Sequence, residues 1–267
     1  MTPRRPALLV TGGSGYLGAV LAPAAAAAGW EVTATSHTRP GPARLDVRDP
    51  DEVVALFRQV RPRAAVHAAY RQDGPGAWDV TAVGSGHVAE AATAVGARLV
   101  HLSTDVVFDG RAGRPYREDD LPCPLSAYGR AKAEAEHRVA AADPAAVLVR
   151  TSLVYGGPAG PESPHERAAR DPGMAFYTDE LRCPVQVDDL AAALVELCTL
   201  DVAGPLHVAG PEACSRHEFA CRVAGHEVAG TAAPPGRPLD CRLDVGRAAA
   251  LLGVRLRGVS EVLVPRP

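Results

Sequence analysis

The chain has 267 residues, 47% of them hydrophobic and 22% charged, with a net charge of −3. That length supports one large core, or a core with a small annex, and the composition is that of an ordinary soluble globular protein. The absence of a basic stripe argues against nucleic acid as a partner, and the lack of any apolar run of about 20 residues argues against a membrane span.

In chain order, "MTPRRPALLV" carries basic residues, but its apolar run ends at once in glycines, so it does not read as a signal peptide. Residues 7–10, "ALLV", lead into "TGGSGYLG", the pattern of a buried parallel strand, a glycine turn and a helix. The alanine-rich "LAPAAAAAGW" is the back of that helix, stopped by Gly29. "WEVTATS" (30–36) is a second strand. "DPDEVVALFRQVRP" (49–62) has helical apolar spacing after an acidic N-cap. "AAVHAA" (64–69) is a third strand, "VGSGHVAEAATAVG" (83–96) a helix and "RLVHLST" (98–104) a fourth strand. A helix follows over 126–142, then a fifth strand in "AAVLVRTSLVYG" (145–156). This alternation predicts an α/β fold, a doubly wound parallel sheet.

Beyond Gly156 the texture changes. Residues 157–184 hold five prolines without a clean period and read as a long loop, "SPHER" included, with one short strand, "MAFYTD". "VDDLAAALVELCTL" is a helix, "GPLHVAG" a strand, "SRHEFACRVAG" a helix opened by Ser215, and "DCRLDVGRAAALLG" ends in a last helix. The expected organisation is a dinucleotide-binding core over 1–156 and a small C-terminal substrate-binding annex over 157–267, with 185–210 returning to the core.

Three stretches carry chemistry. Gly12, Gly15 and Gly18 repeat as GxxGxxG. Gly12 permits a tight turn, Gly15 lets backbone approach a pyrophosphate and Gly18 lets the helix close on the strand, with free N–H groups facing the phosphates. Because the motif follows a strand and opens a helix, it reads as a dinucleotide site. Tyr16 and Leu17 within the turn, and Ala68 and Ala69 at the end of the third strand, complete the expected cofactor contacts. At the end of the second strand no acid awaits the adenosine ribose; Ser36, His37 and Arg39 are available for a 2′-phosphate, which favours NADP(H) over NAD(H), with NAD(H) still possible. Asp46 and Val47 can flank the adenine, or Asp46 can be a turn residue. Finally, "HLSTDVVFDG" sets Thr104 and Asp105 at the carboxyl end of the fourth strand, the edge where open α/β sheets bind ligands. On the next helix Tyr128 and Lys132 stand four residues apart, on one face.

Taken together, "TGGSGYLG", "STDVVFDG", "SAYGRAKAEAE" and "VRTSLVYG" resemble the extended short-chain dehydrogenase/reductases, and more closely the dTDP-4-dehydrorhamnose reductase family. "DELRCPVQVDDLAAAL", "GPLHVAG", "SRHEFA" and "RPLDCRLDVGRAAALLG" extend the likeness over nearly the whole chain. The resemblance implies a Rossmann core and an NAD(P)-dependent oxidoreductase acting on a keto group of a nucleotide-activated deoxysugar. It implies that the Tyr128 phenol donates a proton to the carbonyl oxygen and that Lys132 lowers the phenol's pKa and holds the nicotinamide ribose. Thr104 would bond the substrate oxygen and Asp105 orient the substrate. The chain departs from the family at Val106, where an aromatic residue is common, at Thr81, where an asparagine is common, in the proline-rich stretch after "VYG" and in "DELRCPV". These positions bear on the sugar rather than on the cofactor.

Arg182 is either a contact to a substrate diphosphate or one half of a surface ion pair. Six cysteines without CxxC pairing read as free thiols in a reducing cytoplasm. Nine histidines without HExxH spacing predict no metal site. A homodimer is compatible with this reading. Two rivals stand beside it: an NAD-dependent epimerase or dehydratase of the same fold, and a non-catalytic NADP-binding regulatory subunit, of which the beta subunit of methionine adenosyltransferase is an example that resembles this family.

Overall fold

A computed structural model describes residues 5–38 and 43–264. Its strands, in chain order, are β1 (Ala7–Thr11), β2 (Glu31–Ser36), β3 (Ala43–Arg44), β4 (Ala64–His67), β5 (Arg98–Thr104), β6 (Val147–Thr151), β7 (Val154–Tyr155), β8 (Ala175–Tyr177), β9 (Leu181–Arg182), β10 (Val185–Gln186), β11 (Gly204–His207), β12 (Cys214–Ser215) and β13 (Ala229–Thr231). The α-helices are α1 (Tyr16–Ala27), α2 (Pro50–Val60), α3 (Gly84–Val95), α4 (Ala127–Ala142), α5 (Pro164–Ala169), α6 (Val187–Leu197), α7 (Arg216–Ala224), α8 (Gly246–Leu251) and α9 (Val259–Val262).

Seven strands form one sheet in the order β11-β6-β5-β4-β1-β2-β3, and β1, β2, β3, β4 and β5 pair in parallel. The chain leaves β1 toward β2 and β3, then returns to β4 on the other side of β1. The carboxyl ends of β1 and β4 therefore make the switch point at which doubly wound sheets bind ligands. This is the expected α/β fold. Apolar runs such as "ALLV" form these strands because a parallel sheet is buried on both faces; Leu8, Leu9 and Val10 have no exposed surface.

Two compact units are distinguished. The first takes the described residues of Met1–Ser103 with Arg130–Val149 and Ala191–Pro205; the second takes Thr104–Gly129, Arg150–Leu190 and the described residues of Leu206–Pro267. In the first, Leu9, Val53, Phe57, Ala65, Val88, Leu99, Val139 and Leu148 share one apolar cluster. In the second, Leu153, Tyr155, Cys214, Phe219, Val259 and Leu263 share another.

Three local expectations are corrected. "SPHER" is the start of a helix, not a loop: Ser163 and Glu166 form a capping box and Pro164 occupies the first turn, where its missing N–H costs nothing. Glu166 also accepts the N–H groups of Gly156 and Gly157 at 2.9 and 2.8 Å, so a buried carboxylate ties α5 to the preceding turn. The fifth strand is broken: β6 ends at Thr151, and β7 pairs with β10 outside the main sheet. The last helix is followed by α9. Among the described residues no helix is long and apolar enough to cross a membrane.

Candidate active site

In the first unit, the glycine turn follows β1 directly. Gly12 has φ +73°, and a Cβ there would lie 2.7 Å from the Ala69 nitrogen; a Cβ on Gly18 would lie 2.3 Å from the Gly12 oxygen. These two glycines are thus required by the chain's own close approach, and the approach brings Ala68 and Ala69 against the turn at the switch point. Gly15 is different: its nearest neighbour would be the Gly12 oxygen at 3.1 Å. It is the N-cap of α1, where no side chain caps the helix and no acid stands in the first turn. By contrast α2, α5 and α7 are capped by Asp49, Ser163 and Ser215. The positive end of α1, carrying Tyr16 and Leu17, fits a bound pyrophosphate.

Ser14 donates to Ser36 at 2.9 Å, fixing the glycine turn to the end of β2. His37 is exposed there, 3.8 Å from Asp46. Arg39 lies outside the described residues. Asp46 stands in a turn: the Asp49 N–H donates to its carbonyl at 3.1 Å, and Arg48 grips its carboxylate at 2.9 and 2.6 Å. That guanidinium holds the Asp46 carboxyl down at about 2. Val47 is buried against Gly84, and its carbonyl pairs with the His87 ring at 3.1 Å.

Below the switch point Lys132 lies in a buried cluster with two histidines, His67 and His101, that sequence reasoning missed. His67 bonds Thr11 at 2.6 Å and Ser85 at 3.0 Å and stacks on His101 at 5.3 Å between ring centroids. Burial, and secondly Lys132, hold His67 down at about 3 and His101 well below its ordinary range, so both rings are neutral. Lys132, on α4, is 2% exposed; its ammonium donates to the Leu102 carbonyl at 2.7 Å and lies 5.3 Å from the centre of the Tyr70 ring. Burial lowers it to about 8, against the opposing pull of Glu136. A lysine in this state holds its proton weakly near neutral pH. The available signal was "AAVHAAY", a strand carrying a histidine and ending beside a tyrosine.

In the second unit, Thr104 ends β5 and donates to Asp105 at 3.2 Å. Asp105 is buried and also accepts from Ser152 at 2.6 Å. Its carboxyl is pushed up by burial, against the downward pull of Arg182, Ser152 and Thr104. Tyr128 is partly exposed in the first turn of α4, which Ser126 caps by accepting the Gly129 N–H at 2.9 Å. A Cβ on Gly129 would stand 2.3 Å from the Val106 oxygen. Only glycine lets this turn close on the segment that follows Thr104 and Asp105, so Gly129 is a positioning residue hidden inside "SAYGRAK".

Arg182 is corrected from a surface ion pair. It is 4% exposed, 3.0 Å from Glu180 and 3.6 Å from Asp105, and its guanidinium donates to the Pro238 carbonyl at 2.9 Å. Its charge is already spent inside the fold, which makes it a support for Asp105. Glu180, itself buried, is bridged on its other oxygen by Arg237 at 2.6 Å.

The family model described as RmlD substrate binding domain matches residues 6–255. A dTDP-4-dehydrorhamnose reductase of Mycobacterium tuberculosis is 35% identical over 231 residues, covering 81% of this chain and 74% of that one. The methionine adenosyltransferase 2 subunit beta of Rattus norvegicus is 29% identical over 242 residues, covering 81% and 71%. Among solved structures, a dTDP-4-dehydrorhamnose reductase from Bacillus anthracis in complex with NADP superposes with a TM-score of 0.85 at 24% identity, covering 97% of both chains, which shows the shared fold.

Proposed function

Because the chain belongs to the RmlD substrate binding domain family, we propose that it is an NADPH-dependent reductase of a keto group on a nucleotide-activated deoxysugar. The observation that supports this most is Lys132, a buried ammonium fixed on the Leu102 carbonyl one helical turn after Tyr128. The uncapped N-terminus of α1 supports a pyrophosphate beside Gly15, with Tyr16 and Leu17 offering backbone N–H groups. Ser36 and His37, with no acid at the end of β2, support the 2′-phosphate of NADPH, and NADH remains the weaker cofactor.

Bound NADPH supplies the hydride to the carbonyl carbon. Tyr128 gives its phenolic proton to the carbonyl oxygen, which stays on the carbon as the hydroxyl of the product alcohol. An ordinary tyrosine, with a pKa of about 10, is a poor acid at neutral pH. The positive charge of Lys132 stabilises the phenolate left behind and so lowers that barrier. The Thr104 hydroxyl, now turned to Asp105, reaches the substrate oxygen and fixes its orientation. Asp105 holds Thr104 and is itself held by Ser152 and Arg182. The reading includes a cytoplasmic location, in keeping with six free thiols, and a homodimer, which light scattering tests.

The deciding experiment follows NADPH consumption by the purified protein against a panel of nucleotide-linked 4-keto sugars. One of them should be reduced. Tyr128→Phe should lower turnover about 10²–10⁴-fold with NADPH affinity retained. Turnover at the wild-type rate removes Tyr128 from the mechanism. Tight NADPH binding with no ketone reduced favours the regulatory reading, which the likeness to the methionine adenosyltransferase beta subunit supports.

A further inference from the structure

Away from these residues, three donor atoms of different elements converge on one side of α7. His217 and Cys221 stand four residues apart and so share a face of that helix. After Gly225 the chain turns back and sets Glu227 beside them. The His217 Nε2 atom lies 3.6 Å from Cys221 Sγ and 3.3 Å from Glu227 Oε1, and Cys221 Sγ lies 3.5 Å from Glu227 Oε2.

A tetrahedral zinc ion, with bonds of about 2.3 Å to sulfur and about 2.0–2.1 Å to nitrogen and oxygen, requires edges of about 3.3 Å between nitrogen and oxygen and about 3.6 Å to sulfur. The nitrogen–oxygen and nitrogen–sulfur separations match those edges, and the exposed Glu227 carboxylate faces the nitrogen with Oε1 and the sulfur with Oε2. Backbone clears the same place: a Cβ on Gly230 would stand 3.1 Å from His217 Nε2, and glycine leaves the imidazole edge open. Two other polar contacts belong to the cluster, His217 Nε2 to the Val228 carbonyl at 2.9 Å and His226 Nδ1 to the Glu227 carbonyl at 2.9 Å. The His217 side chain is 15% exposed and Glu227 is 81% exposed, so an ion reaches the cluster from solvent.

We propose that His217, Cys221 and Glu227 bind a zinc-like divalent transition-metal ion, which fastens the return from Gly225 to Thr231 onto α7. The donor set of one thiolate, one imidazole and one carboxylate suits zinc or cobalt and not magnesium or calcium, which take oxygen alone. On binding, the thiol proton passes to solvent. The imidazole proton moves from Nε2 to Nδ1, and the Val228 carbonyl loses that donor. Nothing is oxidised or reduced. The fourth position goes to water.

The test titrates Co(II) into the full-length protein after chelator treatment. The expected result is one equivalent bound, with a thiolate-to-cobalt charge-transfer band that Zn(II) abolishes. Cys221→Ser should lose the band. Glu227→Gln, a change at an exposed position, should keep it while weakening Co(II) affinity by about tenfold or more, the least that disturbing a metal's surroundings costs. Zn(II) should raise the melting temperature of the wild type and leave that of Cys221→Ser unchanged. No band at excess Co(II), or a band that survives Cys221→Ser because the exposed Cys123 supplies it, overturns the proposal.

Discussion

The two units bury charge in opposite ways. In the first, Lys132 is enclosed with neutral His67 and His101 and a backbone carbonyl, so burial outweighs its favourable contacts and its pKa falls to about 8. In the second, Asp105 is enclosed with a hydroxyl on each side and Arg182 at 3.6 Å, and burial pushes its carboxyl up. Both groups are drawn toward their neutral forms. Each has a counter-charge that burial outweighs, Glu136 for Lys132 and Arg182 for Asp105, but Asp105 also accepts two hydroxyl hydrogen bonds where Lys132 donates to one backbone carbonyl. Stability and activity should therefore respond differently when each is altered.

The largest effect should come from the second unit. Arg182→Met removes the cation that faces both Glu180 and Asp105, and breaking a buried ion pair on one side typically costs about 3–5 kcal/mol. Urea unfolding at neutral pH measures it, and a loss below about 1 kcal/mol would mean that Arg182 is not the counter-charge that holds Asp105. In the first unit the sign reverses. The folded pKa of Lys132, about 8, lies below its ordinary 10.5, so the unfolded chain binds more protons between those values. The lysine thus contributes a penalty that is full below pH 8 and fades as pH rises to 10.5. Lys132→Met should then stabilise the cofactor-free protein at pH 7 by about 2 kcal/mol, abolish turnover and lose its advantage at high pH. Thermal melts of both proteins across that range check the prediction, and a destabilised variant contradicts it. The smallest change is Ser152→Ala, which removes one hydrogen bond to Asp105 and one from the Cys183 N–H. It should cost about 1 kcal/mol and raise the Asp105 pKa further, which the pH profile of turnover reports.

Much of this was legible because it is local. The turn at Gly12, the acidic cap of α2 at Asp49 and the spacing of Tyr128 and Lys132 each depend on hydrogen bonds within a few residues. The same holds for α5, since Ser163, Pro164 and Glu166 spell a capping box; the surrounding prolines obscured it. His217 and Cys221 also stand at helical spacing, and a scan for paired histidines passes over them.

The sequence by itself determined the alternation of strands and helices from β1 to α4, the two-residue β3 apart, the parallel sheet and the place of the dinucleotide turn, because periodicity and turn chemistry act over short stretches. Only the tertiary structure decided that Arg182 is internal, since the Pro238 and Leu239 carbonyls it meets lie 56 and 57 residues away. It likewise decided that Gly129 must lack a side chain, because the obstacle is the Val106 backbone. The burial that lowers Lys132 is equally nonlocal: around it stand the Leu102 carbonyl, His67 and His101, brought in from strands whose own patterns encode only their apolar faces, and Tyr70 from the segment after β4.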